Sequence, residues 1–176
     1  MEKVLLHNWY AYRLLFTIHI HGGINMISIG IDVGKSGGVA IIDSIKSENA
    51  PITAVKCPET VADMSKLITW HKWDCRDLLC VIEKVHSMPK QGVKSMFTFG
   101  KNFGQWLGIL AAFEIPYIEV TPQKWMKYYG AMPKDKKERK THLKHLAQSL
   151  YPSINVTLYT ADAILMAHYC KQELNI

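Results

Sequence analysis

The order of strand and helix patterns predicts a single α/β domain built on a mixed sheet. Two apolar stretches flank a glycine- and serine-rich turn at 34–38, which is typical of an antiparallel β-hairpin. The uninterrupted apolar run at 78–82 has the length of a strand that is covered on both faces. Stretches of helical period separate the later strands. A length of 176 residues fits one such domain.

Each predicted element is bounded by residues that start or stop regular structure. Thr60 caps the first helix, and Pro122 opens a later short helix, because proline is favoured in a first helical turn. Pro152 ends the lysine-rich helix that precedes the last one. In chain order we expect strands near 26–31, 39–42, 52–56, 78–82 and 115–120, and helices near 61–71, 93–113, 122–129, 136–150 and 160–171.

The helix predicted at 93–113 carries Gly100, Gly104 and Gly108 four residues apart on one face. Each glycine costs about 1 kcal/mol against alanine in a helix, so three in register need a reason. We expect that face to approach the sheet or another helix closely, with Met96 and the two neighbouring phenylalanines, Phe99 and Phe103, facing elsewhere.

Residues 1–25 are interpreted as an N-terminal extension to a domain at 26–176. The extension is too polar for a membrane span or a signal segment, and Met26 opens a segment that reads like a second start site. We therefore expect a start-site artefact or a poorly ordered extension. Four cysteines without zinc spacing indicate reduced thiols of a cytoplasmic protein. We expect no membrane partner.

Positive charge is concentrated between Thr121 and His145. Eight basic and two acidic residues there account for the whole net charge of +6. A local positive field of this kind attracts a polyanion such as a nucleic acid. A lysine-rich, solvated helix face explains the same composition equally well.

Three carboxylates lie where elements end or begin. Asp32 is placed on the first strand, Glu83 ends the apolar run at 78–82, and Asp162 falls in the first turn of the last helix. Singly, Asp32 could belong to a phosphate-binding turn, Glu83 could be a solvated strand-end acid, and Asp162 could complement a helix dipole. If the two strands are neighbours, all three acids meet at one rim of the sheet.

Three anions at one rim repel one another unless divalent cations lie between them. Hard oxygen ligands select Mg²⁺ or Mn²⁺. Two such ions about 4 Å apart activate a water and stabilise the leaving oxygen in phosphodiester hydrolysis. The acids therefore predict a two-metal nuclease.

Four segments, IGIDVGKSGGVAII, VIEKVHSMPKQGVKSMFTFGKNFG, VTPQKWMK and ADAILMAHY, resemble in order and spacing the RuvC-like Holliday junction resolvases, in particular their phage-type branch. The resemblance implies a ribonuclease H-like fold whose five-stranded mixed sheet has its first three strands antiparallel and helices on both faces. It also implies a homodimer that nicks four-way DNA junctions with Mg²⁺, in DNA recombination, repair or phage DNA processing, without a nucleotide cofactor.

Carried over residue by residue, the resemblance makes Asp32, Glu83 and Asp162 the metal-binding catalytic acids. A further acid or histidine that relatives place three or four residues before the last aspartate is replaced here by Tyr159 and Leu158. The residues that the resemblance and the charge pattern assign to DNA are His86, as a base-stacking ring, and Lys84, Lys127, Lys136 and Lys137, as phosphate contacts.

Three alternatives stay open. An actin-like kinase or ATPase would explain the glycine-rich hairpin, but it needs a second phosphate loop and about twice this length. The catalytic part of a transposase has a similar first motif. A junction-binding protein with weak or no cleavage fits the replacement of the fourth acid at Tyr159.

Overall fold

A computed structural model describes residues 26–43, 52–72, 77–84 and 92–173. The N-terminal extension, Cys75 and His86 lie outside these residues. The described strands are β1 (Met26–Ile31), β2 (Gly38–Asp43), β3 (Ile52–Lys56), β4 (Asp77–Glu83) and β5 (Tyr117–Val120). The described helices are α1 (Val61–Lys72), α2 (Val93–Ala112), α3 (Pro122–Tyr128), α4 (Lys136–Leu150) and α5 (Ala161–Glu173).

The strands form one five-stranded mixed sheet in the order β3-β2-β1-β4-β5. The first three strands in the chain are antiparallel, whereas β1, β4 and β5 run parallel to one another. The predicted α/β fold, with an antiparallel first half and helices on both faces, is confirmed. Because β1 and β4 are adjacent and parallel, their carboxyl ends lie at the same edge of the sheet.

Each face of the sheet has its own hydrophobic core. The side chains of Ile27, Ile29 and Ile31 pack with Met64 and Ile68 of α1 and with Trp106 of α2. On the other face, Ile42 and Val81 pack with Trp125 of α3, Leu143 of α4 and most of α5. Both tryptophans are fully buried, as expected of core residues. Among the described residues, no helix has the length and apolar character needed to cross a bilayer.

Helix α5 lies directly on β1 because Gly30 has no side chain. A Cβ atom at Gly30 would lie 2.1 Å from the carbonyl oxygen of Ala163 and 2.4 Å from the amide nitrogen of Ala167. The helix backbone therefore occupies the space that any other residue would fill. This contact fixes the height of the first turn of α5, and with it Asp162, above the sheet.

The glycine face of α2 does not approach the sheet within the described part of the chain, and its expected approach to another helix stays a prediction. No described atom lies within 4 Å of a Cβ built at Gly100, Gly104 or Gly108. The opposite face meets the sheet instead, because Phe99 and Phe103 pack against the core beneath α2. Large apolar rings gain more from burial than glycines do, and that difference sets the rotation of the helix.

Candidate active site

Asp32 and Glu83 lie next to each other at the carboxyl edge of the sheet. Ile31 of β1 is in register with Ile82 of β4, so the residues that follow them are also opposite each other. Side chains alternate along a strand, which places both carboxylates on the face that α5 covers. Asp32 itself follows the end of β1 rather than lying within the strand, a difference of one residue from the prediction.

The turn between β1 and β2 fixes the position of Asp32. The amide of Asp32 donates to the carbonyl oxygen of Gly38 at 3.0 Å, and the amide of Gly38 donates back at 3.1 Å. Gly37 must be glycine, because a Cβ there would lie 2.1 Å from the carbonyl oxygen of Asp32. Gly34, at φ 111°, donates its amide to the side-chain oxygen of Asn102 on α2 at 3.0 Å. The turn is therefore held from both sides.

Asp162 enters the site from the first turn of α5. Thr157 and Thr160 organise that turn, since each backbone amide donates to the other's hydroxyl oxygen, at 3.0 and 3.2 Å. The carbonyl oxygen of Thr157 also accepts from the amide of Ala161. The predicted position of Asp162 in the first helical turn is confirmed, and the Gly30 contact aims that turn at the carboxyl edge.

The three acids share one electrostatic environment. Burial, followed by the nearby charges of Glu83 and Asp162, raises the pKa of Asp32 well above its ordinary value. Burial also raises the pKa of Glu83, to which Asp162 adds, while a hydrogen bond with Asp32 opposes the change. The pKa of Asp162 is raised by burial as well. Like charges held together in a desolvated place attract cations or protons.

Lys140 is the main positive group at this cluster, and it is not among the site residues predicted from the sequence. Against the larger effect of burial, its charge lowers the pKa of all three carboxyl groups, and Arg139 adds to this at Asp162. Lys140 lies three residues before Leu143 and seven before Ala147, the buried residues of α4. That spacing puts it on the inner face of the helix, which is the signal that would have found it.

The donor set at this edge fits a hard divalent cation. It consists of carboxylate oxygens only, and burial is the main cause that raises the pKa of each acid. Within the described ranges, no three His, Cys, Asp or Glu side chains are already gathered into a metal-binding group. Asp32 and Glu83 are nevertheless joined by a hydrogen bond, and the charge of Asp162 raises the pKa of both.

The positions before Asp162 provide no further carboxylate. Leu158 and Tyr159 are both about half exposed. The ammonium nitrogen of Lys56 lies 5.4 Å from the centre of the Tyr159 ring, within the range of a cation–π contact. A cation thus faces Tyr159, the residue that replaces the fourth acid of the resemblance.

The lysines assigned to DNA are on the surface. Lys84 directly follows β4, next to Glu83, and its amide donates to the carbonyl oxygen of Val120 at 2.7 Å. Lys127 ends α3, and Lys136 and Lys137 open α4; the side chains of all four lysines are exposed. Their contact with DNA stays a prediction, as does that of His86, which lies outside the described residues.

Comparison with known proteins identifies the fold. No protein-family model and no curated protein sequence matches the chain. The solved structure of Thermus thermophilus RuvC with a Holliday junction substrate is similar, with a TM-score of 0.58 and 13% identity over 85% of this chain and 95% of that one. Fowlpox virus resolvase in complex with Holliday junction DNA gives a TM-score of 0.51 and 14% identity over 85% of this chain and 97% of that one. The chain therefore has the ribonuclease H-like fold of the RuvC-type resolvases.

Proposed function

We propose that this protein is a structure-selective endonuclease that hydrolyses phosphodiester bonds in Holliday junctions or other branched DNA. One observation carries the proposal: Asp32 and Glu83, distant in sequence, lie side by side at the carboxyl edge of the sheet, where Asp162 is near enough for its charge to raise the pKa of both. The fold shared with junction resolvases supports the same substrate class. We place the protein in DNA recombination, repair or phage DNA processing in the cytoplasm.

The three carboxylates would hold the metal, which we propose to be two Mg²⁺ ions with Mn²⁺ as a substitute. Bound there, the ions supply Lewis-acid activation of water and of the phosphodiester. The protein's own part is to present desolvated oxygens at a fixed edge of the sheet. Lys140 offsets part of their mutual repulsion, so that the cluster folds with its carboxylates close together.

DNA would approach across α3 and α4. Lys127, Lys136 and Lys137 are exposed on these helices, and Lys84 is exposed beside Glu83. Ammonium groups spaced along one surface bind phosphates without regard to sequence and make the affinity dependent on salt. This surface would hold the branched substrate while the acids act on one strand.

A homodimer would supply a second active site for the opposed strand. Helix α2 leaves Val93 and Phe97 exposed at 87% and 74%, in line with the open glycines Gly100 and Gly104. Glycines let two helix backbones approach closely, and an exposed phenylalanine gains by burial. We propose that two copies of α2 pack through this face.

The central experiment compares cutting of a labelled four-way junction with cutting of a linear duplex, with and without Mg²⁺ or Mn²⁺. We expect paired nicks in the junction only, and only with metal. Glu83→Gln should reduce cutting by at least about 10³-fold while junction binding persists, because a metal-holding acid acts in the transition state. Its matched control is Glu119→Gln, an exposed acid on the neighbouring strand, which should cut normally.

A junction-binding protein without cleavage is the second candidate. The observation that favours it is Tyr159, which stands in place of an acid and faces the ammonium group of Lys56. Tight, salt-dependent junction binding without nicks in either metal would establish this candidate and exclude the nuclease. Equal binding of linear and branched DNA would exclude both.

A further inference from the structure

A cleft of about 470 Å³ lies between α3 and the start of α4, apart from the carboxylates. The apolar part of its lining consists of Met126, Met132, Pro122 and Pro133, called here the methionine and proline wall. Both methionines are partly buried against the core, so the wall is anchored to the fold. Flat, polarisable walls of this kind accept a planar ring.

The rim of the cleft is cationic. Lys127, Lys134 and Arg139 contribute to the lining, and none of the described residues that line the cleft is acidic. The Nη1 atom of Arg139 donates to the carbonyl oxygens of Pro133 and Lys134, both at 3.1 Å. These bonds hold the guanidinium group at the cleft, so that an anion binding there meets a charge already in place.

The cleft lies close to the candidate active site. Arg139 is half-buried, and its charge also lowers the pKa of Asp162, although burial raises that pKa by more. The next residue along the helix is Lys140, which acts on all three acids. The first turns of α4 therefore have the cleft on one side and the acids on the other.

We propose that this cleft binds one unstacked nucleotide of the DNA strand that passes the active site, with its base against the methionine and proline wall and its phosphate at Lys127, Lys134 and Arg139. The volume of the cleft suits one nucleotide rather than a duplex. The proposal rests on the proposed function only in that DNA is the substrate. A branch point supplies unstacked nucleotides at little cost, whereas an intact duplex must be opened.

The test of the phosphate contact compares two charge reversals. Lys134→Glu places an acid at the cleft, and Lys66→Glu makes the same change on α1, which packs on the opposite face of the sheet. Both lysines are exposed, so neither change disturbs the core. Junction binding is measured in EDTA, where nothing is cut. We expect Lys134→Glu to weaken binding about tenfold more than Lys66→Glu, and equal losses would overturn the proposal.

The test of the base contact uses junctions with a single abasic position moved stepwise away from the branch point. At one position, the missing base should lower the affinity of the wild-type protein for the junction about fivefold or more, as expected for a base that is stacked on protein. In Met132→Ala, checked by its thermal unfolding, the same abasic position should cost less than about twofold, since part of the wall on which the base stacks has been removed. Equal cost at every position, or the same cost in both proteins, would overturn the proposal.

A third measurement tests whether the cleft binds a nucleotide within a DNA strand or a free nucleotide. Deoxynucleoside monophosphates are titrated against the junction in competition for the protein. A free monophosphate that binds as tightly as the junction would overturn the strand assignment, while millimolar competition or none supports it. All three measurements record binding in EDTA, so they do not depend on cleavage. A protein that never cuts DNA would contradict the proposed function, but the proposal for the cleft could still be tested.

Discussion

Lys140 is the side chain whose charge reaches all three carboxyl groups of the candidate site. It is half-buried, whereas Lys136 and Lys137, one turn earlier on α4, are exposed. A charge in a desolvated place acts more strongly than the same charge in water. At the scale of single residues, therefore, the balance between the acids and Lys140 governs the site.

We expect Lys140→Gln to lower cleavage about 10- to 100-fold at neutral pH, the range for losing one interaction with a charged group. Without the ammonium group, the pKa values of the acids rise further, so the acidic limb of the pH–rate profile should move to higher pH. Lys144→Gln, one turn farther along α4, is the matched control and should leave the profile in place. Identical profiles for both variants would contradict the assigned role of Lys140.

Asp32→Asn should stabilise the protein in the absence of divalent ions. Burial, together with Glu83 and Asp162, raises the pKa of Asp32 above its ordinary value of 3.8. Stability linked to this group is therefore fully present below that pH and is lost as pH rises through the raised pKa. At pH 7 the variant should gain on the order of 1 kcal/mol, or about 2–4 °C in Tm, measured by thermal unfolding. A gain in stability of the variant that is as large at pH 3 as at pH 7 would contradict the explanation by the raised pKa of Asp32.

Among the secondary-structure elements, the packing of α5 on β1 determines where Asp162 lies. Gly30 lets the backbone of α5 touch the strand, two residues before Asp32. The same helix carries Asp162 and is braced from outside by α4. This strand–helix contact therefore positions Asp162, whereas the turn after β1 positions Asp32.

Gly30→Ala should cost about 1–3 kcal/mol of the free energy of unfolding, as is usual for overpacking, and should reduce cleavage by displacing Asp162. The control is Gly108→Ala, an exposed helical position with no described atom within 4 Å of the added Cβ. That change should stabilise the folded chain by up to about 1 kcal/mol. Chemical denaturation measures both, and similar values for the two variants would disprove the close contact at Gly30.

A hydrogen bond joins the end of α4 to α5. The hydroxyl of Tyr151 and Nδ1 of His168 are 2.9 Å apart, and burial, followed by the charge of Lys171, lowers the pKa of His168. Stability linked to His168 is therefore present above its ordinary pKa of 6.5 and is lost as pH falls. Tyr151→Phe should cost about 1 kcal/mol at pH 8. Denaturation at pH 8 and pH 5 measures the cost of the lost hydrogen bond and the pH dependence linked to His168. A contribution of His168 that makes the wild-type protein more stable at pH 5 than at pH 8 would contradict the lowered pKa.

At the scale of the whole molecule, the exposed face of α2 distinguishes a monomer from the proposed dimer. Phe97→Asp should weaken self-association by about 100-fold or more, since a buried charge would replace a buried ring. Trp70→Asp on α1 is the control, because Trp70 is even more exposed, at 83%, but lies on another helix. Analytical ultracentrifugation measures the dissociation constants. A wild type that stays monomeric at high micromolar concentration would exclude the dimer.

Local sequence patterns predicted the elements and the position of each acid within its element, but not which strands are neighbours. Periodicity and capping are local properties, so the strands and helices were predicted to within a few residues, although β5 begins at Tyr117 rather than at Ile115. Asp32 and Glu83 meet because each follows or ends an apolar strand, and strand ends of adjacent parallel strands share an edge.

Which faces of the helices meet the sheet could be read only from the folded chain. Rotation of a helix depends on the summed burial of distant side chains, which no local pattern contains. Hence the glycines of α2 lie open while its phenylalanines pack inward, against expectation. For the same reason Lys140, rather than the more exposed lysines before it, faces the acids, and Gly30 sets the height at which α5 delivers Asp162.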